Sequence, residues 1–136
     1  MSGGKRVEAL IDTGAALSCI DERLANSLNL PKMGPAKVAG VGGSENLELR
    51  LVQIYLPEFE RLKYASLVAV KLAEGGQRHE VLLGREFLVE YRMLYDGRSG
   101  VVVFENQSKP IPVIHSDATL NAVISNGFGY GRRKRR

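Results

Sequence analysis

Val7-Glu8-Ala9-Leu10-Ile11-Asp12-Thr13-Gly14-Ala15-Ala16-Leu17-Ser18-Cys19-Ile20 is the stretch on which the fold turns. Residues 7–11 are an apolar run with Glu8 inside it and read as a strand. Residues 15–20 are apolar again and read as a second strand after a tight turn. Asp12-Thr13-Gly14 is that turn, and it delivers a single carboxylate from the end of the first strand. Gly14 lets the backbone approach another chain closely, and Thr13 can hydrogen-bond to backbone groups and hold the loop rigid. The tripeptide by itself also suits a turn aspartate of an ordinary β-domain, so its surroundings decide.

After this stretch, Asp21 is placed to cap a short helix with Leu24 and Leu28 on one face, which Pro31 stops. Residues 34–43 are glycine-rich and open a hairpin. Leu47, Leu49 and Leu51 alternate with Glu48, Arg50 and Val52, the period of a strand. Residues 62–72 are another strand-like run, Gly75-Gly76 a turn, and Val81-Leu82-Leu83 a short apolar strand. Phe87, Leu88 and Tyr91 suggest a helical turn. Tyr95 and Val101 flank Asp96-Gly97-Arg98-Ser99-Gly100, a hairpin turn. Two prolines in residues 109–112 predict a linker, and residues 119–124 one more strand or a short helix. The pattern is mainly β, with one or two short helices and no internal repeat.

A chain of 136 residues is about one domain. Its 44% hydrophobic and 25% charged residues are ordinary for a globular protein. The net charge of +4 is local. Arg132, Arg133, Lys134, Arg135 and Arg136 carry +5, which leaves +4 − 5 = −1 for the remainder. A flexible basic tail of this kind can contact an acidic partner, nucleic acid or an anionic surface, or stay solvated. The single cysteine, Cys19, permits no intrachain disulfide and fits a reducing compartment. Residues 1–6 lack the apolar core of a signal peptide. No run approaches the ~20 residues of a membrane span. A cytoplasmic protein is expected.

One carboxylate is a poor tool for hydrolysing an amide. Two in contact cannot both ionise, so they share a proton; one then acts as base toward water and the other as acid toward the carbonyl. The chain has four aspartates, Asp12, Asp21, Asp96 and Asp117, and only Asp12 lies in such a motif. A catalytic pair therefore needs two chains and a two-fold axis beside Asp12. Val38-Ala39-Gly40-Val41-Gly42-Gly43 suits a mobile hairpin tip that closes over a peptide, or a plain β-turn. Val81-Leu82-Leu83-Gly84-Arg85 can pass behind the Asp12 loop and brace it, or be a plain core strand. Cys19 reads as core. His79 and His115 are isolated, with no ligand cluster around them. Asn106-Gln107-Ser108 matches a glycosylation sequon without a secretion signal to support it.

The order Asp-Thr-Gly-Ala, glycine-rich hairpin, apolar-apolar-Gly-Arg resembles the retroviral-type, retropepsin-like aspartic proteases over residues 6–105. Leu10-Ile11-Asp12-Thr13-Gly14-Ala15, Leu83-Gly84-Arg85-Glu86-Phe87-Leu88 and Leu94-Tyr95-Asp96-Gly97 look most like the bacterial and retroelement branches. The resemblance implies a closed β-barrel and a homodimer with its active site on the two-fold axis. It implies a catalytic Asp12, loop support from Thr13, Gly14 and Ala15, and a flap that binds substrate through Gly40, Val41, Gly42 and Gly43. It also implies bracing by Leu83, Gly84 and Arg85. The substrate would be an extended polypeptide, with no metal or organic cofactor, cleaved at acidic to neutral pH.

This sequence departs from the pattern in two places. Retroviral members carry an acidic residue at the position of Ala16 that pairs with the arginine matching Arg85, so Arg85 is expected to turn to Glu86 or to a carboxylate of the other subunit. Family members also place a strand ahead of the one that enters the motif. Either that strand is missing here, or residues 119–127 supply it from the other end of the sequence, within one chain or swapped between subunits. The chain accordingly divides into a protease domain at residues 1–108, an extension at residues 109–127 and a basic tail at residues 128–136. The rival readings are a non-catalytic module that keeps the fold to bind a peptide or to dimerise, and a nucleic-acid accessory domain that uses the tail.

Overall fold

The structure, a computed structural model, describes residues 4–40, 43–106, 109–114 and 119–127. Among these described residues, ten strands and two short helices follow in the order β1 (Gly4–Ile11), β2 (Cys19–Asp21), α1 (Glu22–Ser27), β3 (Lys32–Gly40), β4 (Gly43–Leu56), a 3-10 turn (Pro57–Phe59), β5 (Arg61–Val70), β6 (Val81–Leu83), α2 (Arg85–Leu88), β7 (Arg92–Asp96), β8 (Val101–Asn106), β9 (Lys109–Ile114) and β10 (Thr119–Ser125). Strands β10-β1-β6-β2-β5-β4 lie side by side, and β10 pairs back onto β4, so six strands close into a barrel. β3 continues outward from β4 as the second arm of a long hairpin, whose last described pair is Gly40 with Gly43. Val41 and Gly42 lie outside the described residues.

Period-two alternation decides which side of each strand is buried. In β1, Val7, Ala9 and Ile11 face the core while Arg6 and Glu8 are exposed. In β10, Leu120, Ala122 and Ile124 face it while Asn121 is exposed. The two strands run antiparallel over seven pairs from Gly4 with Ser125 to Leu10 with Thr119. In that register Val7 meets Ala122 and Ala9 meets Leu120, so both apolar faces point inward together. Burying a side chain such as Leu120 or Ile124 contributes roughly 1.5–3 kcal/mol, so β10 is held by packing as well as by its ladder. The β7-β8-β9 sheet joins the barrel through Val102 and Phe104, which are buried. The ring of Phe104 lies 5.4 Å from Phe59 and 5.9 Å from Tyr91.

Three local expectations are corrected. Residues 109–112 are not a linker; they belong to β9, paired with β8 from Asn106–Lys109 to Val101–Ile114. Pro110 and Pro112 are two apart, so both missing N–H positions fall on the same edge, and β9 is an edge strand on which that edge needs no partner. Residues 15–20 are not one strand, since only Cys19–Asp21 is extended and paired. Asp21 does sit at the N-cap of α1 but makes no capping bond; its Oδ1 instead accepts from the Ala73 N–H at 3.1 Å. Helix α1 ends at Leu28, before Pro31, because Asn29 turns to a positive φ of 53°. Of the two readings of residues 119–124, the strand holds, as β10.

Candidate active site

Short β6 lies between β1, with which it is parallel, and β2, with which it is antiparallel. The chain leaves β1 at Ile11, arcs through residues 12–18 and returns as β2, so the arc passes over the end of β6 where Gly84 begins α2. Asp12 stands at the start of this arc. Its N–H donates to the Leu83 carbonyl at 2.9 Å, which continues the β1–β6 ladder by one more bond. Its side-chain Oδ1 accepts from the Gly14 N–H at 3.0 Å. The carboxylate is thus aimed by its own turn, and the turn by the strand beside it.

The rest of the arc is clasped by the first residues of α2. The Arg85 N–H donates to Ala15 O at 2.8 Å, and the Glu86 N–H to Ala16 O at 3.2 Å. The Gly84 N–H donates to the hydroxyl of Ser18 at 2.9 Å. In return the Ser18 N–H donates to Oε1 of Glu86 at 2.6 Å. Ser18 is 2% exposed, so its hydroxyl has no solvent to fall back on. Gly84 permits the approach: a Cβ there would stand 2.7 Å from the carbonyl oxygens of both Ala15 and Leu17.

Within the chain, Arg85 does not turn to Glu86. Its Nη1 donates to the Thr13 carbonyl at 2.9 Å, while Glu86 is engaged with Ser18. With Ala16 in place of an acid, the guanidinium reaches the loop backbone itself. Thr13 and Gly14 are exposed at the tip of the arc and Asp12 is half-buried, so a tightly held backbone carries an open tip. Of the residues singled out from the sequence, Asp12, Thr13, Gly14, Ala15, Leu83, Gly84 and Arg85 come together here. Gly40 and Gly43 lie at the far end of the β3–β4 hairpin. Val41, Gly42, His115, Asp117 and residues 128–136 lie outside the described residues.

The contact between Ser18 and Glu86 escaped the reading of the sequence, which offered Glu86 only as a partner for Arg85. Ser18 was a polar island in an apolar run, and Glu86 stood in the first turn of a short helix 68 positions away; only folding puts them in contact. Cys19, also beside the loop, is half-buried. Burial pushes its thiol up, and the negative charges of Asp12 and then Glu86 push it further. The other described aspartates serve local structure: Asp21 holds Ala73, and Asp96 accepts from the Arg98 N–H in the β7–β8 turn. Among the described residues no cluster of His, Cys, Asp and Glu suits a metal ion, and no helix is long and apolar enough to cross a membrane.

The family model described as "Aspartyl protease" matches residues 1–87, which includes the whole Asp12 arc, the β3–β4 hairpin and the start of α2. Neither the curated proteins nor the solved structures gave a match.

Proposed function

Because the chain belongs to the aspartyl protease family, in its retropepsin-like form, we propose that it is an endopeptidase whose active site forms when two copies bring their Asp12 residues together. One observation carries this reading. The Asp12 arc is fixed by hydrogen bonds from β6, α2 and its own turn, yet its Thr13-Gly14 tip is left open to solvent. Such rigidity positions a reacting group, and the open tip fits the approach of a second, identical tip. No described aspartate of the same chain is free to be the partner, since Asp21 and Asp96 are engaged elsewhere.

In the dimer the two carboxylates hold one proton between them. The ionised one takes a proton from water as it attacks the scissile carbonyl, and the protonated one donates to the carbonyl oxygen. Extended substrate lies as an added strand between the Asp12 floor and the β3–β4 hairpin, which acts as the flap. A free, half-buried Cys19 suits the cytoplasmic setting that this reading carries with it. The test is a diverse peptide library incubated with wild type and Asp12→Asn between about pH 4 and 7, with sedimentation of both proteins. Cleavage by the dimer that Asp12→Asn abolishes and a pepstatin-type inhibitor blocks supports the proposal. Cleavage surviving Asp12→Asn refutes it. A well-formed dimer silent across the range makes the protein a non-catalytic peptide-binding module.

A further inference from the structure

The base of the Asp12 arc is held by a carboxylate that has no role in the chemistry proposed above. Glu86 is the second residue of α2, and it grips the arc twice. Its N–H donates to Ala16 O at 3.2 Å, and its Oε1 accepts from the Ser18 N–H at 2.6 Å. The two bonds straddle Leu17, so one residue fixes the peptide groups on both sides of it. The first N–H groups of a helix find no partner inside the helix. No side chain caps α2; the arc carbonyls of Ala15 and Ala16 take the N–H groups of Arg85 and Glu86 instead.

Ser18 depends on this carboxylate. Its carbonyl accepts from the Val68 N–H at 3.0 Å, and its hydroxyl accepts from the Gly84 N–H at 2.9 Å. Both of those partners are backbone groups, whereas its own N–H is met by a side chain. Ser18 is buried, and a buried N–H without an acceptor is costly. From there the tie runs on to the reacting group. Ala15 O is bound by the Arg85 N–H at 2.8 Å, and the Ala15 N–H donates to Asp12 O at 3.2 Å. The Gly14 N–H then aims the Asp12 carboxylate through Oδ1 at 3.0 Å. What shifts the arc therefore shifts the carboxylate. Burial raises the Cys19 thiol first, and the charges of Asp12 and Glu86 raise it further, so both carboxylates lie close to this short segment.

We propose that Glu86 is a positioning residue whose side chain, by its reach rather than its charge, sets the arc that aims Asp12. The kinetic consequence rests on the protease reading; the structural one rests on the geometry alone. The cations around Glu86 are engaged elsewhere, Arg85 on Thr13 O and both Lys63 and Arg61 on Glu90. Side-chain length is the controlling feature. Glu places an oxygen beside the Ser18 N–H while its own N–H stays on Ala16 O. Gln offers an oxygen at the same reach without the charge. Asp keeps the charge but is one methylene shorter, so it either drops the Ser18 N–H or draws the arc toward α2.

The test compares full chains of wild type, Glu86→Gln and Glu86→Asp. Both substitutions fall at an exposed position and keep a polar side chain there. The readouts are the amide resonance of Gly14, whose N–H donates to Asp12 Oδ1, and kcat and KM measured separately on one cleaved peptide. Glu86→Asp is expected to move the Gly14 resonance and to lower kcat about tenfold or more, because ~1 Å of misplacement can cost roughly a hundredfold. KM is expected to stay within about twofold. Glu86→Gln is expected to restore the resonance and most of kcat. Glu90→Gln removes a charge four residues on, from a carboxylate bonded to Lys63 and Arg61, and is expected to change neither readout. An unmoved Gly14 resonance in Glu86→Asp overturns the proposal. So does a larger loss in Glu86→Gln than in Glu86→Asp, which would make Glu86 act by charge. A raised KM at constant kcat would put Glu86 on the substrate and overturns it as well. If wild type cleaves no peptide the protease reading fails, and the Gly14 resonance alone still decides whether Glu86 sets the arc.

Discussion

The backbone N–H of Ser18 donates to Oε1 of Glu86 across 2.6 Å, and thereby ties the end of the Asp12 arc to helix α2, 68 positions later in the chain. The bond is short and charge-assisted. Bonds of this kind contribute about 1.5–3 kcal/mol when the acceptor is ionised. Glu86→Ala is therefore expected to lower unfolding stability by roughly that amount, since the part-buried Ser18 N–H loses its acceptor. Glu86→Gln keeps an oxygen in place and loses less. Urea denaturation of the three proteins checks this, with the slope m unchanged if the native fold is kept. Indistinguishable midpoints for all three would mean that the contact contributes nothing.

Glycine is required at two positions of the site for different reasons. At Gly84 an added methyl would meet two backbone oxygens at 2.7 Å, which cannot move without opening the clasp. Gly84→Ala is expected to cost about 1–3 kcal/mol or more, the range for overpacking against a rigid neighbour. At Gly14 the nearest atom is the side-chain Oδ1 of Asp12, at 3.3 Å. Gly14→Ala therefore displaces the carboxylate rather than the fold. Thermal unfolding is expected to separate the two, with Gly84→Ala losing stability and Gly14→Ala retaining it while peptide cleavage falls. The reverse order would show that the arc, not the clasp, is the rigid part.

Much of this architecture was legible because it is local. Alternation in Leu47–Val52 marked β4, the glycines of residues 34–43 marked the hairpin, and Asp96–Gly100 marked the β7–β8 turn. What escaped depends on contacts between distant segments. The apolar run Ala15-Ala16-Leu17 looks like a strand, but its carbonyls are taken by the Arg85 and Glu86 N–H groups instead of a ladder. Pro110 and Pro112 look like strand breakers until β9 is seen to be an edge. Ser18 and Glu86 gave only faint signals, a lone hydroxyl in an apolar stretch and a carboxylate at a helix start, and neither names the other.

Cys19 reports on the charge of its neighbours. Its thiol is raised first by burial, then by Asp12 and Glu86, so the thiolate appears only at more alkaline pH than for a free cysteine. Alkylation, which requires the thiolate, is expected to be slow at neutral pH and to climb late as pH rises. Asp12→Asn removes one negative charge, so the thiolate forms more easily and the alkylation curve moves toward lower pH. It stays above that of a free thiol because burial, the larger cause, is untouched. Rates measured by mass spectrometry across a pH series check the sign. A curve that shifts upward or not at all in Asp12→Asn would separate Cys19 electrostatically from the Asp12 loop.

The last prediction concerns connectivity. Because Gly4 pairs with Ser125 and the ladder then runs to Leu10 with Thr119, β10 and β1 are the two arms of a hairpin that the chain does not connect. A turn of about two to five residues is the usual length for such a junction. A permuted chain that starts at Thr119, passes from Gly127 through such a turn to Gly4, and ends at Ile114 keeps every strand pair of the barrel. It replaces one pairing across nearly the whole sequence with a local one. The lower contact order should make it refold faster than the parent, while its thermal midpoint stays close. Stopped-flow refolding and a melting curve test both. A permutant that cannot fold would mean that β10 depends on its place after β9, not merely on the inward match of Leu120, Ala122 and Ile124 with β1.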